Sequence, residues 1–260
     1  MRELRFLLAV WKANLISAME FRLSFISQVV GMMLNDAAYF VFWIIFFERF
    51  EFVHGWGLQD MVLIYGLVAV SYGVGLYLFG NAMLLGDVIT KGQLDYYLSL
   101  PRPVLLHVLA SRSQLSAAGD ILFGLLTFFF AGQVTLDAFA RYLLAILGST
   151  VIFIAFLVIV QSLAFWLGSV QVLGTFATNA IVTFSIYPSR LFDASARLLL
   201  FTLVPAMLVG AVPAELVRGF TWGRAGLLAL GAAVFFALAG FVFYRGLRRY
   251  ESGSAIQIQS

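Results

Sequence analysis

The sequence predicts an all-α integral membrane protein with six transmembrane helices. Three observations carry that expectation. Only 11% of the 260 residues are charged while 62% are hydrophobic, and the mean hydropathy is +0.98, whereas a soluble domain of this length needs far more polar surface. The apolar residues gather in blocks that reach the ~20 residues a helix needs to cross a bilayer at ~1.5 Å rise per residue. Those blocks are continuous runs of Phe, Leu, Val, Ala and Gly, unlike the short alternating segments of a β-barrel.

The chain opens with Leu4, Leu7, Leu8, Trp11 and Leu15 at helical spacing, with Arg2, Arg5 and Lys12 on another part of the wheel. Residues 1–20 therefore read as an amphipathic helix lying on a membrane surface, Trp11 at headgroup level, or alternatively as an extension of the first span. No small-residue cleavage site follows Met1-Arg2-Glu3-Leu4-Arg5, so no cleavable signal is expected.

Six spans follow, near Phe21 to Phe47, Met61 to Leu85, Leu115 to Ala131, Tyr142 to Leu167, Val172 to Tyr187 and Leu227 to Tyr244. The stretch Leu198 to Val212 is interrupted by Pro205 and closed by Pro213, so it is expected as a re-entrant or interfacial hairpin. Six spans put both termini on one side. That side collects Arg2, Arg5, Lys12, Arg22, Lys91, Arg102, Arg112, Arg245, Arg248 and Arg249. The other side holds Arg49, Arg141, Arg190, Arg197, Arg218 and Arg224, offset by Glu48, Glu51, Asp60, Asp137, Asp193 and Glu215. The positive-inside rule then makes the termini cytoplasmic.

Two small-residue stripes are expected to pack helices closely: Gly66, Gly73 and Gly80 on the second span, and Gly226, Ala229, Ala233, Ala237 and Gly240 on the last. The third span carries a polar face, Ser113, Ser116, Asp120, Gly124 and Thr127. Asp36 follows Asn35 near the middle of the first span, where a carboxylate costs several kcal/mol unless it is paired, protonated or facing water. Asp36, Ser116, Asp120 and Thr127 are thus candidates for a translocation path or a subunit contact, the alternative being a hydrogen-bonded clamp within the bundle.

Between the second and third spans lies Gly86 to Pro103, too apolar for a solvated linker and too polar for lipid. Such a balance fits a short helix docked on another protein, or a loop packed under its own bundle.

Several chemistries are excluded. No cysteine is present, so disulfides, thiolate metal sites and thiol redox chemistry have no residues to use, and with the two histidines, His54 and His107, far apart in sequence, no metal centre is expected. The net charge of +3 follows from basic helix ends and gives no reason to expect nucleic acid. There is no G-x-x-x-x-G-K-[ST] loop, no G-x-S-x-G elbow and no H-E-x-x-H, so any energy-consuming step must be powered from outside the chain.

The run Lys91-Gly92-Gln93-Leu94-Asp95-Tyr96-Tyr97-Leu98 with Pro101-Arg102-Pro103, the Tyr187-Pro188 turn, Pro205-Ala206 with Pro213, and the tail Gly246-Leu247-Arg248-Arg249-Tyr250-Glu251-Ser252-Gly253-Ser254 resemble the membrane permeases of type-2 ABC exporters, in particular small six-span bacterial ones. The resemblance extends over the whole chain in span order and loop length. It implies one permease domain, residues 1–260, in the bacterial inner membrane, paired with a second copy or with a paralogous permease. It further implies an ABC ATPase subunit, which binds ATP and Mg, resting on a coupling segment at residues 87–104. Asp87, Lys91, Leu94, Asp95, Tyr96, Tyr97, Leu98 and Arg102 are its expected contacts. The family's interfacial helix maps onto Arg2 to Ala18 and its re-entrant region onto Arg190 to Phe220. Few charges and many aromatics lean towards an amphiphilic cargo. A proton-coupled secondary transporter using Asp36 and Asp120, and an integral-membrane enzyme acting on lipids, are the competing readings.

Overall fold

The computed structural model describes residues 2–50, 52, 55–132 and 134–251. Glu51, His54 and the tail residues Ser252, Gly253 and Ser254 lie outside them. No strand occurs among the described residues. The chain order is α1 (Arg2–Glu20), α2 (Arg22–Arg49), α3 (Leu58–Phe79), a short 3-10 turn at Gly80–Leu84, α4 (Leu85–Thr90), α5 (Leu94–Leu98), α6 (Val104–Ala110), α7 (Ala117–Phe130), α8 (Leu136–Ser162) and α9 (Ala164–Leu167). It continues through α10 (Gln171–Ser185), α11 (Ala194–Thr202), α12 (Ala206–Val209), α13 (Ala211–Arg218) and α14 (Trp222–Leu247).

Side-chain caps start the helices that leave loops. Asp60 accepts the Gly57 N–H (2.9 Å) at α3, and Thr135 accepts the Ala138 N–H (3.1 Å) at α8. Asp193 accepts the Ala196 N–H (2.7 Å) at α11, and Thr221 the Arg224 N–H (3.3 Å) at α14. Each satisfies a donor that the first turn cannot pair internally.

The bundle is built around α3 and α8, the two most enclosed of its membrane-length helices. The glycine stripe on α3 works as expected. Gly66 lies against Thr127, and Gly73 against the Ala117 carbonyl and Asp120. Gly80 sits under residues 112–114, and from α7 Gly124 abuts the Gly66 carbonyl and Val70. With no aqueous driving force between helices in lipid, such backbone approach supplies the packing energy. On α14 the expectation fails. Gly226 and Gly240 have open space where a Cβ would go, and the buried face is Leu228, Gly231, Phe235, Ala239, Phe243 and Gly246, which meets α8 at Gly148, α12 at Leu208 and α9 at Phe165. Small residues read alike in sequence on a packed face and on an open one.

Four helical stretches are long and apolar enough to cross a bilayer: Arg22–Arg49, Leu58–Thr90, Leu136–Leu167 and Trp222–Leu247. The pair Ala194–Thr202 and Ala206–Arg218, bent by 71° at Pro205, counts as a fifth only if it is taken as one span. The expected third and fifth spans are helices of 14 and 15 residues, about 21–22 Å long and so short of the ~30 Å hydrocarbon core. The turns at 111–116 and 168–170 shorten them; Gly168 has φ +74°, a conformation that side chains resist. Pro213 does not close the hairpin as expected. It lies in the first turn of α13, where a missing N–H costs little, and that helix runs on to Arg218.

The hairpin is fastened at the end of the bundle away from α1. Arg218 pairs with Asp60 (3.0 Å) and stacks over Trp56 (4.7 Å), and Arg224 pairs with Glu215 (3.3 Å). At the other end, α1 is a helix separate from α2. Trp11 Nε1 donates to the Leu78 carbonyl (2.8 Å), Asn14 Nδ2 to Ser113 Oγ (3.0 Å), and Glu3 pairs with Arg102 (3.1 Å). Leu4, Leu8 and Leu15 stay exposed, as do Arg5 and Lys12.

Candidate coupling and intramembrane sites

Residues 85–104 form two short helices joined by a turn at Gly92 (φ +73°), where only glycine is unstrained. The first helix is gripped from below. Gln161 on α8 accepts the Gly86 N–H through Oε1 (3.3 Å) and donates from Nε2 to the Met83 carbonyl (2.8 Å). In α5, Leu94 is fully buried, and the Tyr97 hydroxyl is 3.1 Å from Ser111 Oγ. Asn81 Nδ2 donates to the same Ser111 Oγ (3.0 Å) and to the Val108 carbonyl (2.9 Å).

An aromatic stack extends this grip to α1: Tyr97 lies edge-on to His107 (5.2 Å), His107 edge-on to Phe6 (4.9 Å), and the Arg102 guanidinium over Phe6 (4.8 Å). Burial, aided by Arg102, pushes the His107 pKa below its ordinary 6.5. On the other side the Tyr250 hydroxyl faces Asp95, and burial together with that carboxylate pushes its pKa up to about 12. Both ends of the described chain therefore meet the same segment.

The eight residues expected to touch a partner thus divide. Tyr96 (64% exposed), Leu98 (43%) and the Asp87–Lys91 ion pair (2.8 Å) face outward. Leu94, Tyr97 and Arg102 face the bundle, and Asp95 is half-buried beside Tyr250. The expectation that Leu94 and Tyr97 are surface anchors for a partner is corrected by this burial: they hold the segment in place.

Asp36 on α2 and Asp120 on α7 come into hydrogen-bonding contact, though 84 positions separate them in the chain. Glycines bring the helices this close: Gly119 lies against the Val29 carbonyl and Met32 of α2, two turns and one turn before Asp36, and Gly73 lets α3 close on Asp120. Asp36 is 5% and Asp120 3% exposed. They line a cavity of about 300 Å³ among α2, α3, α7 and α10, with Tyr39, Tyr65, Tyr72 and Asn179. Ser116 and Thr127 do not join them. Ser116 stands before α7, in reach of Gln114 Nε2 (3.4 Å), and Thr127 donates to the Gly124 carbonyl (2.8 Å) within its own helix and packs on Gly66. Sequence reading missed the tyrosines, although Tyr65 and Tyr72, seven apart, share one face of α3.

A family model described as ABC-2 family transporter protein matches residues 33–254. The chain belongs to that family. This ABC-2 transporter protein is a membrane protein of the kind that serves ABC exporters as a permease, and the match runs from within α2 to beyond α14, leaving out α1. Comparison with curated proteins and with solved structures gives no match.

Proposed function

We propose that this chain is the permease subunit of an ABC exporter, forming half of a translocation pathway and driven by a separate ATPase subunit that binds ATP and Mg. The observation that carries this reading is the build of residues 85–98 within an ABC-2 family chain: a rigidly anchored underside and an outward face of Tyr96, Leu98, Asp87 and Lys91. A helix fixed to the bundle by Gln161, Leu94 and Tyr97 passes on a push as a rigid body instead of yielding to it.

The reading has six crossings, α2, α3, α7, α8, α10 and α14, with Ala194–Arg218 dipping in from the outer face. The short α7 and α10 complete their crossings with the turns that precede them; in the turn before α7, Gln114 N–H donates to the Leu76 carbonyl (3.1 Å). An even number of crossings agrees with both chain ends meeting residues 94–102. The basic side, bearing α1, α5 and the tail, is cytoplasmic in a bacterial inner membrane. There the exposed Leu4, Leu8 and Leu15 of α1 enter the leaflet.

A second permease, identical or paralogous, pairs with this one. ATP-driven closure of two ATPases moves the coupling segments, and the bundles change which side of their interface is open. The test is purification of the full chain from native membranes under mild detergent. An ABC ATPase that copurifies in stoichiometric amount is the expected result, and a permease that is active in transport without one would overturn the reading.

A further inference from the structure

On the permease reading above, we propose that the cavity among α2, α3, α7 and α10 binds a singly charged ammonium group carried on an apolar stem. The size fits a headgroup: about 300 Å³ is at the lower end of small-molecule sites, enough for an amine and its first carbons but not for a whole amphiphile. The apolar remainder leaves past Tyr39, the exposed residue of the cavity lining on α2.

The charge also fits. Two carboxyl groups in hydrogen-bonding contact hold a proton between them, so the pair presents one negative charge. Among the described residues no third His, Asp or Glu joins them, so the pair lacks the ligand number that a metal ion takes. No Lys or Arg lines the cavity to neutralise the pair. A net negative charge at membrane depth is costly, and an ammonium group held beside the pair offsets that cost.

The walls supply the second half of the recognition. Tyr39, Tyr65 and Tyr72 present aromatic rings to the same space, and rings of this kind attract alkylammonium groups through their negative faces. An anionic or neutral headgroup gains nothing from either element. The ammonium group could come from a transported cationic amphiphile or from the headgroup of a zwitterionic membrane phospholipid; the chemistry recognised is the same.

The test uses the full chain, without an ATPase, in phosphatidylglycerol nanodiscs, and measures equilibrium binding of radiolabelled dodecyltrimethylammonium over empty discs. Saturable binding of one probe per chain is expected, with neutral dodecanol and dodecyl sulfate failing to compete. Asp36→Asn combined with Asp120→Asn should weaken it about tenfold or more, because the two changes together remove the pair's charge while keeping both side-chain shapes, whereas either change alone leaves one carboxylate to carry it. Equal competition by dodecanol, which needs no variant and no assumption about folding, would overturn the proposal, as would unchanged affinity in a monodisperse protein carrying both Asp36→Asn and Asp120→Asn. Adding short-chain phosphatidylethanolamine as a competitor at constant disc composition separates the two sources: displacement of the probe assigns the site to a lipid headgroup, and no displacement assigns it to cargo. Copurification of an ATPase does not depend on any of these results, so the permease reading stands or falls separately.

Discussion

Leu94 and Tyr96 sit two residues apart on one short helix and face opposite ways: Leu94 has no exposed surface, and Tyr96 is 64% exposed. That inversion divides the coupling segment into an anchored side and a free side, and the two sides respond differently to substitution.

On the anchored side, Leu94→Ala leaves a hole under α5 and should destabilise the local fold by about 2–5 kcal/mol, within the range for buried Leu→Ala changes. Thermal unfolding in detergent measures the loss, and limited proteolysis between residues 91 and 102 should speed up. Tyr97→Phe, which removes only the hydroxyl beside Ser111, should cost about 1 kcal/mol.

The α3–α7 contact predicts a contrast among glycines. Gly124→Val drives a side chain into the Gly66 carbonyl and should cost at least about 2 kcal/mol, whereas Gly226→Val meets open space and should leave the single chain's unfolding temperature unchanged. An equal effect of both changes would mean that α3 and α7 do not approach as described.

A pH prediction follows from His107. Its folded pKa lies below 6.5, so the unfolded chain binds the proton more readily and stability falls as the pH drops through 6.5 towards the folded pKa; above 6.5 the contribution is complete. The packing of α1 on α6, through Phe6, should therefore loosen below pH 6.5. The unfolding temperature of the wild type relative to His107→Gln, followed from pH 8 to 5, should show a gap that changes only in the acidic range.

The first-glance legibility of this chain follows from what membranes demand. Long apolar runs must be helices because lipid leaves backbone groups no other partner, so α2, α3, α8 and α14 could be read from hydropathy, although their ends could not: α8 starts at Leu136 where Tyr142 was expected. What depends on contact was not legible. Asp36 and Asp120 could each be seen as costly, but their meeting rests on Gly119 and Gly73, whose neighbours lie on other helices. Leu94 and Tyr97 looked like surface anchors because composition does not tell an inward face from an outward one on a five-residue helix. The short α7 and α10 were overdrawn since apolar residues continue into the turns that flank them.

Membrane orientation is open to labelling, because the chain has no cysteine of its own. A cysteine at Ser99 or Ser252 should react only from the cytoplasmic side, and one at Gly55 only from outside. Ala138 is buried and would label poorly, so the exposed Leu136 beside it is the better outer position. Reaction of position 99 from outside would reverse the assigned orientation.

The most direct measurement of the coupling role is crosslinking from single cysteines at Tyr96 and Leu94 in the assembled exporter, using a short thiol-reactive photocrosslinker. With Tyr96→Cys, the permease should join covalently to an ABC ATPase, and the yield should change when ATP is added. Leu94→Cys, enclosed in the bundle, should give little or no such product. Crosslinking to the ATPase from position 94 as efficient as from position 96, or none from position 96 in an intact complex, would contradict residues 85–98 being the surface through which this permease is driven.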